Sequence, residues 1–263
     1  MLDQFGRSIR YLRVSVTDRC NLRCRYCMPE EGVTWVDHSA ILSYEQIIRL
    51  VRLAASLGVE KVRLTGGEPL VRKGLANLVQ ELKSIGGIRT VSLTTNGVLL
   101  AEQLPDLLKA GLDGVNLSLD TLARAQFASL TRRDELPRAL EGLEAALAAP
   151  GLTVKVNCVP SGGNDAQLVP LAALARDRNL TVRFIELMPI GLGDTLTRRT
   201  EEEVLRQLEE AFGPALPCPS DALGGPRRNV TFHGFQGKVG FISAVSHQFG
   251  ERCNRVRLTA PGF

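Results

Sequence analysis

The sequence has no long apolar run, and none of its hydrophobic stretches approaches bilayer-spanning length. Its opening, MLDQFGRSIRYLR, mixes charges early and has no apolar signal core. Both absences predict a cytoplasmic protein without a membrane partner. Charge of one sign is also in short supply: 32 Lys and Arg stand against 28 Asp and Glu, a net +4. That bias is too weak for nucleic-acid binding, yet it suits a small anionic substrate. Histidine occurs three times, and no second Cys or His pair stands at zinc spacing from the first cysteines. No dinucleotide-type glycine fingerprint, low-complexity tract or long-period repeat is present.

The remainder is an ordinary globular composition, 44% hydrophobic and 23% charged over 263 residues, with mean hydropathy near zero. Six cysteines in a cytoplasmic chain point to metal or catalysis before disulfides. Three fall within eight residues, Cys20-Asn21-Leu22-Arg23-Cys24-Arg25-Tyr26-Cys27. Thiolates are soft, strongly donating ligands that can converge on one inorganic centre. Ferredoxin-type runs supply all four cysteines of a four-iron cluster, whereas this run stops at three. A cubane so held leaves one iron open. A zinc knuckle and scattered buried cysteines are the competing readings. Cys158, His233 and His247 carry no spacing signal, and Cys218 between two prolines reads as an exposed loop thiol.

Along the chain, apolar alternation predicts strands at 11–17, 61–65, 90–94, 114–119, 153–159 and 181–186. Helical periodicity separates them, opened by capping boxes at Ser43…Gln46 and Thr200…Glu203. Six β-α units predict a parallel α/β sheet, an incomplete (β/α)6 TIM-like barrel, with a doubly wound sheet as the alternative. A Pro- and Gly-rich stretch from residue 213 marks a change of texture. The expected division is 1–212 as partial barrel and 213–263 as a small β-containing extension, with strands at 229–232 and 238–243.

Parallel barrels build their sites from the loops at the C-terminal strand ends. The unusual motifs all fall there. Gly66-Gly67-Glu68-Pro69 follows the second strand; it is either a plain turn or a close backbone approach to a ligand, with Glu68 holding an ammonium group. Thr94-Thr95-Asn96-Gly97 and Asn116 to Asp120 bring hydroxyls, amides and a carboxylate that can cap helices or meet a ribose. Arg13, Arg63 and Lys155 lie within strands. Either they snorkel to water or they share an anion such as a triphosphate. Met188 reads equally as a core residue or a ligand contact.

The cysteine spacing with aromatic Tyr26 matches the CxxxCxxC motif of the radical S-adenosylmethionine (SAM) enzymes. The stretch from Tyr11 to Gly32 resembles the GTP 3′,8-cyclase family of molybdenum cofactor synthesis. The resemblance covers nearly the whole chain and implies the incomplete barrel fold. It implies a [4Fe-4S] cluster on Cys20, Cys24 and Cys27 whose open iron binds SAM, and reductive cleavage of SAM to a 5′-deoxyadenosyl radical. It implies conversion of GTP to 3′,8-cyclo-7,8-dihydro-GTP. By the same resemblance Tyr26, Gly67, Glu68, Ser118 and Met188 contact SAM, while Arg13, Arg63, Thr94, Lys155, Arg255 and Arg257 contact GTP. An electron donor protein and a downstream enzyme acting on the product are implied partners, and a homodimer is left open. The family carries a second cluster near its C-terminus, on a C-x2-C pair and a third cysteine. Here Gly250 takes the first position, Cys253 the second, and the chain ends at Phe263. The resemblance is thus to a C-terminally truncated or variant member. The alternatives are a cyclase impaired by loss of that cluster, a radical SAM enzyme for another substrate, and a non-enzymatic metal-binding protein.

Overall fold

Residues whose side chains alternate between apolar and polar must present one face to a core and the other to something polar. The computed structural model, which describes residues 2–189, 196–219, 228–247 and 253–263, shows one sheet built on that rule. The six predicted units are β1 (Tyr11–Ser15), α1 (Tyr44–Ser56), β2 (Lys61–Thr65), α2 (Leu75–Lys83), β3 (Thr90–Thr95), α3 (Leu100–Lys109), β4 (Gly114–Ser118), α4 (Arg124–Thr131), α5 (Leu136–Ala148), β5 (Thr153–Cys158), α6 (Asp165–Ala173), β6 (Thr181–Ile185) and α7 (Glu201–Phe212). Four further strands follow: β7 (Leu216–Cys218), β8 (Arg228–Thr231), β9 (Lys238–Ile242) and β10 (Arg255–Leu258). Strands β1 to β6 are parallel neighbours in sequence order, as the β-α alternation requires.

Both expected capping boxes are present. Ser43 Oγ accepts from the Gln46 amide at 3.2 Å and Gln46 Oε1 from the Ser43 amide at 2.7 Å. Thr200 and Glu203 repeat the exchange at 3.3 and 2.8 Å. Each box satisfies two amides that a helix start would leave orphaned. Val14, Val62, Leu64, Leu93, Leu117, Val156 and Phe184 share one face of the sheet. Ile47, Leu78, Leu104, Leu143 and Leu171 of the helices cover it, all buried. The opposite face carries Arg13, Arg63, Ser92, Thr94, Asn116, Lys155, Asn157 and Arg183. A closed eight-stranded barrel fills its interior with apolar layers; this sheet keeps its inner face polar.

The C-terminal part differs from expectation in its placement. The two strands read from the sequence do pair antiparallel, Asn229 opposite Gly240. However, β9 also runs parallel beside β6, while β10, not anticipated, runs parallel beside β1 with Val256 opposite Leu12. Residues 213–263 thus extend both edges of the same ten-stranded sheet. The reason is non-local: an edge strand exposes unpaired amides, and these two edges are covered by segments far away in sequence. Cys218, read as a loop thiol, instead ends strand β7 opposite Asn229, half-buried.

Phe212, Phe232 and Phe235 pack ring to ring, with centroids 5.1 to 5.4 Å apart, and join α7 to the β8–β9 hairpin. Phe232 is 2% exposed. Phe232→Ala is expected to cost about 3–5 kcal/mol of stability, read by urea denaturation. A loss below about 1 kcal/mol would show that this cluster does not hold the hairpin.

Candidate active site

The loop that leaves β1 holds the three cysteines, and the rest of the rim holds that loop. Gly66 and Gly67 follow β2. The backbone amides of Gly67 and Glu68 donate to Thr17 O at 2.9 Å and Arg19 O at 2.7 Å. A Cβ on Gly67 would lie 2.3 Å from the Arg19 carbonyl oxygen. The partner that these glycines admit is therefore the chain's own backbone just before Cys20, a role the sequence reading did not separate from ligand approach.

Glu68 turns inward. It is 1% exposed, and its carboxylate accepts from Thr95 Oγ1 at 2.7 Å, the Asn96 amide at 2.7 Å and the Leu70 amide at 3.1 Å. Burial pushes its carboxyl up to about 7 against the lowering pull of those donors. Asn96 continues the chain of contacts. Its side-chain amide donates to Asn21 Oδ1 at 2.8 Å and lies 4.0 Å from Cys20 Sγ. Sequence reasoning cited Asn96 only among polar groups at a strand end; its bond to the cysteine loop depends on tertiary packing.

Across the site, Tyr26 donates its hydroxyl to Asp120 Oδ2 at 2.6 Å, and the Val159 amide donates to Asp120 Oδ1 at 2.8 Å. Burial raises the Asp120 carboxyl, and those two donors partly offset it. From sequence, Asp120 reads equally as a cap or a ligand contact. In the structure it anchors the aromatic residue of the cysteine loop. Cys24, Tyr26, Asn96, Ser118 and Asp120 line one recess with an apolar floor of Leu22, Phe127 and Leu130. Three of the five expected SAM contacts thus come together: Tyr26 and Ser118 in the recess, and Gly67 beside the cysteine loop. Glu68 stands behind them, and Met188, 41% exposed, lies beyond β6.

Among the described residues no three His, Cys, Asp or Glu side chains converge tightly enough for one metal ion. A cubane makes a different demand, because each thiolate takes a separate iron. Cys20 and Cys24 are half-buried and Cys27 is exposed on one loop, so this donor set fits a cluster better than zinc. Interaction with the Cys27 thiol, together with burial, pushes Cys24 up, while the same interaction lowers Cys27. Burial chiefly raises Cys20, with Glu68 and Cys27 adding to it and the Leu22 amide opposing it.

The polar face supplies the second half of the site. Arg13 stands in register with Arg257 on one side and Arg63 on the other. Lys155 aligns with Asn116 and Thr94, a row farther along the barrel. The expected common depth is thus staggered, as strand tilt in a barrel requires. Arg13 Nε is buried with no hydrogen-bond partner among the described residues. Burial, with Arg257, Arg63 and Arg255 nearby, lowers its guanidinium to about 10. Arg183, not singled out from sequence, donates to Asn116 Oδ1 at 2.5 Å on the same face. Cys253 is half-buried just before β10; Gly250 lies outside the described residues.

Comparison with known proteins agrees with this geometry. The family model of the radical SAM superfamily matches residues 14–175, and that described as Molybdenum Cofactor Synthesis C matches 180–263. The GTP 3′,8-cyclase of Petrotoga mobilis is 47% identical over 265 residues, covering 100% of this chain and 82% of that protein. The GTP 3′,8-cyclase of Heliobacterium modesticaldum is 50% identical over 266 residues, covering 100% and 81%. The chain thus spans about four fifths of its relatives' length. In fold it is similar to Streptococcus suis SuiB bound to the precursor peptide SuiA (TM-score 0.60, 21% identity, 78% of this chain and 46% of that one). It is likewise similar to methylornithine synthase (TM-score 0.58, 15% identity, 80% and 64%).

Buried Glu68 gives the site a pH signature. Its folded pKa lies above the ordinary value near 4.5, so between about 4.5 and 7 the folded state keeps a proton that the unfolded chain has released. Its stabilising contribution is complete below that window and is lost as pH rises through about 7, a change on the order of 3 kcal/mol. Urea denaturation between about pH 5 and pH 8 should show a steeper fall for the native sequence than for Glu68→Gln. Equal pH dependence would overturn this account of Glu68.

Proposed function

We propose a division of labour for a chain that belongs to the GTP 3′,8-cyclase family of radical SAM enzymes: the rim formed by β1 to β4 holds the cluster and SAM, and the polar inner face holds GTP. The family establishes the [4Fe-4S] cluster, SAM and molybdenum cofactor synthesis as the setting. When bound, the cluster supplies the electron that cleaves SAM to a 5′-deoxyadenosyl radical. Cys20, Cys24 and Cys27 are assigned as its ligands.

The observation that carries the division is the row Arg257, Arg13, Arg63 on the polar face, with Lys155 on the same face one row farther along. Burial lowers the Arg13 pKa first, and the neighbouring cations Arg257, Arg63 and Arg255 lower it further by repulsion. A triphosphate relieves that repulsion and supplies acceptors for donors such as Arg13 Nε. Thr94 offers a hydroxyl on the same face; Arg255 and Arg257 reach it from β10. Tyr26, Gly67, Ser118 and Met188 are assigned to SAM. Glu68 serves the same site as the anchor of the Gly66–Pro69 turn and of Asn96. Asp120 holds Tyr26 in place. Residues 1–212 then supply the radical side and 213–263 much of the substrate side.

The family reading brings an electron donor protein, a downstream enzyme consuming the cyclised product and a homodimer as partners. A cytoplasmic location follows from free thiols that need a reducing compartment. No helix among the described residues is long and apolar enough to cross a membrane.

Arg63→Ala should weaken GTP binding by about 1.5–3 kcal/mol, the worth of a charge-assisted contact, and leave GTP-independent SAM cleavage intact. Calorimetric titration and deoxyadenosine release measure the two. Loss of SAM cleavage with GTP affinity unchanged would reverse the assignment.

Gly250 in place of a cysteine leaves Cys253 without the nearer partner of its expected pair. The chain is accordingly expected to hold one cubane. Anaerobic reconstitution should give about four irons per chain, and close to none in Cys24→Ala, whereas about eight would establish a second cluster.

A further inference from the structure

Arg132 is the one non-glycine described residue with positive φ, at φ 56° and ψ 24°, where α4 ends. A side chain in that left-handed region costs free energy, and such residues persist where their surroundings over-determine them. Here the turn is tied on every side. Thr131 Oγ1 donates to Phe127 O at 2.8 Å and accepts from the Arg133 amide at 3.3 Å; Arg124 and Asp134 pair across the turn at 2.8 Å. What this conformation delivers is the Arg132 guanidinium. Its Nη1 donates to Arg23 O at 2.8 Å and Met28 O at 3.0 Å. Those two carbonyls bracket Cys24 and Cys27. The same helix end accepts from the loop: the Arg23 amide donates to Thr131 O and the Arg25 amide to Leu130 O, both at 2.9 Å. Four hydrogen bonds thus join the last turn of α4 to the cysteine loop, and Arg132 makes the two that fix the span between Arg23 and Met28.

We propose that Arg132 is a positioning residue for the iron–sulfur cluster. It closes the Arg23–Met28 loop from behind, so that Cys24 and Cys27 keep the separation the cluster requires. The inference rests on the radical SAM reading of that loop and adds a residue that the cysteine motif does not contain. It touches neither SAM nor GTP in this scheme. The cation sits at the negative end of α4, where the helix dipole favours it. Removal frees both carbonyls and lets the loop breathe, while the barrel behind it is unaffected.

The test uses the full chain, reconstituted anaerobically. Arg132→Gly and Arg132→Asn both accept the left-handed backbone, so neither strains the turn. Iron release to a ferrous chelator is followed at the same interval below each protein's melting temperature. Partners that orient metal ligands commonly change metal retention 10- to 100-fold, and both variants should release iron roughly tenfold faster than the native sequence. Melting temperatures of the cluster-free proteins should stay level or rise. Equal release rates overturn the role of Arg132 alone. If the native sequence itself binds no iron, the cluster reading on which the inference rests fails.

Discussion

Repulsion among like charges on the inner face of one sheet is the constraint around which this molecule is arranged. Arg13 is flanked in register by Arg63 and Arg257 and is mostly out of water. An ordinary barrel core would not tolerate such a row, because buried charges need partners. The sheet tolerates it because its other face is mostly apolar. Val14, Val62, Leu64 and Leu93 are all 0% exposed beneath the helices, and helix-to-sheet packing carries the stability that the inner face does not. The inner surface is then free to carry a cationic row, the feature on which the proposed triphosphate site rests.

The cysteine loop poses the opposite problem. It is short of secondary structure and makes few internal bonds, yet a cluster demands fixed thiolates. The structure solves this from three directions. The Gly66–Gly67 turn presses against the backbone before Cys20. Asp120 holds Tyr26 between Cys24 and Cys27. The end of α4 takes the loop's outer side. The first contact comes from the β2–α2 unit and the other two from the β4–α4 unit, so the loop is held from two separate places on the rim. Buried Glu68 links the β2 turn to β3, since its carboxylate satisfies donors from its own turn and from the end of β3.

Much of this was legible in the sequence where the signal is local. The six β-α units follow from apolar period, and both capping boxes sit where Ser43…Gln46 and Thr200…Glu203 placed them. The three-cysteine run announced its chemistry without any neighbour. What was not legible depends on partners distant in sequence. Nothing in Arg255–Leu258 says that it will lie against Tyr11–Val14. Glu68 reads from sequence as a turn residue or an ammonium contact, and its bonds to Thr95 and Asn96 depend on where β3 lies. A left-handed Arg132 has no sequence signature, because propensity would place Gly or Asn there.

The pairing of β10 with β1 also bears on how the chemistry is aimed. Strand β1 ends in the cysteine loop, and its neighbour β10 carries Arg255 and Arg257. Hydrogen-bonded register therefore sets the separation between the cysteine loop and these two arginines. Strand β9 does the same at the other edge: Glu186 after β6 accepts from the Val245 and Ser246 amides at 2.8 and 2.9 Å, tying the segment after β9 to the loop that carries Met188. A misplacement of about 1 Å can cost 10²-fold in rate, and a highly reactive radical raises the demand for correct aim. With the proposed substrate contacts on the same sheet that carries the cysteine loop, that demand is met through the backbone, before any side chain moves.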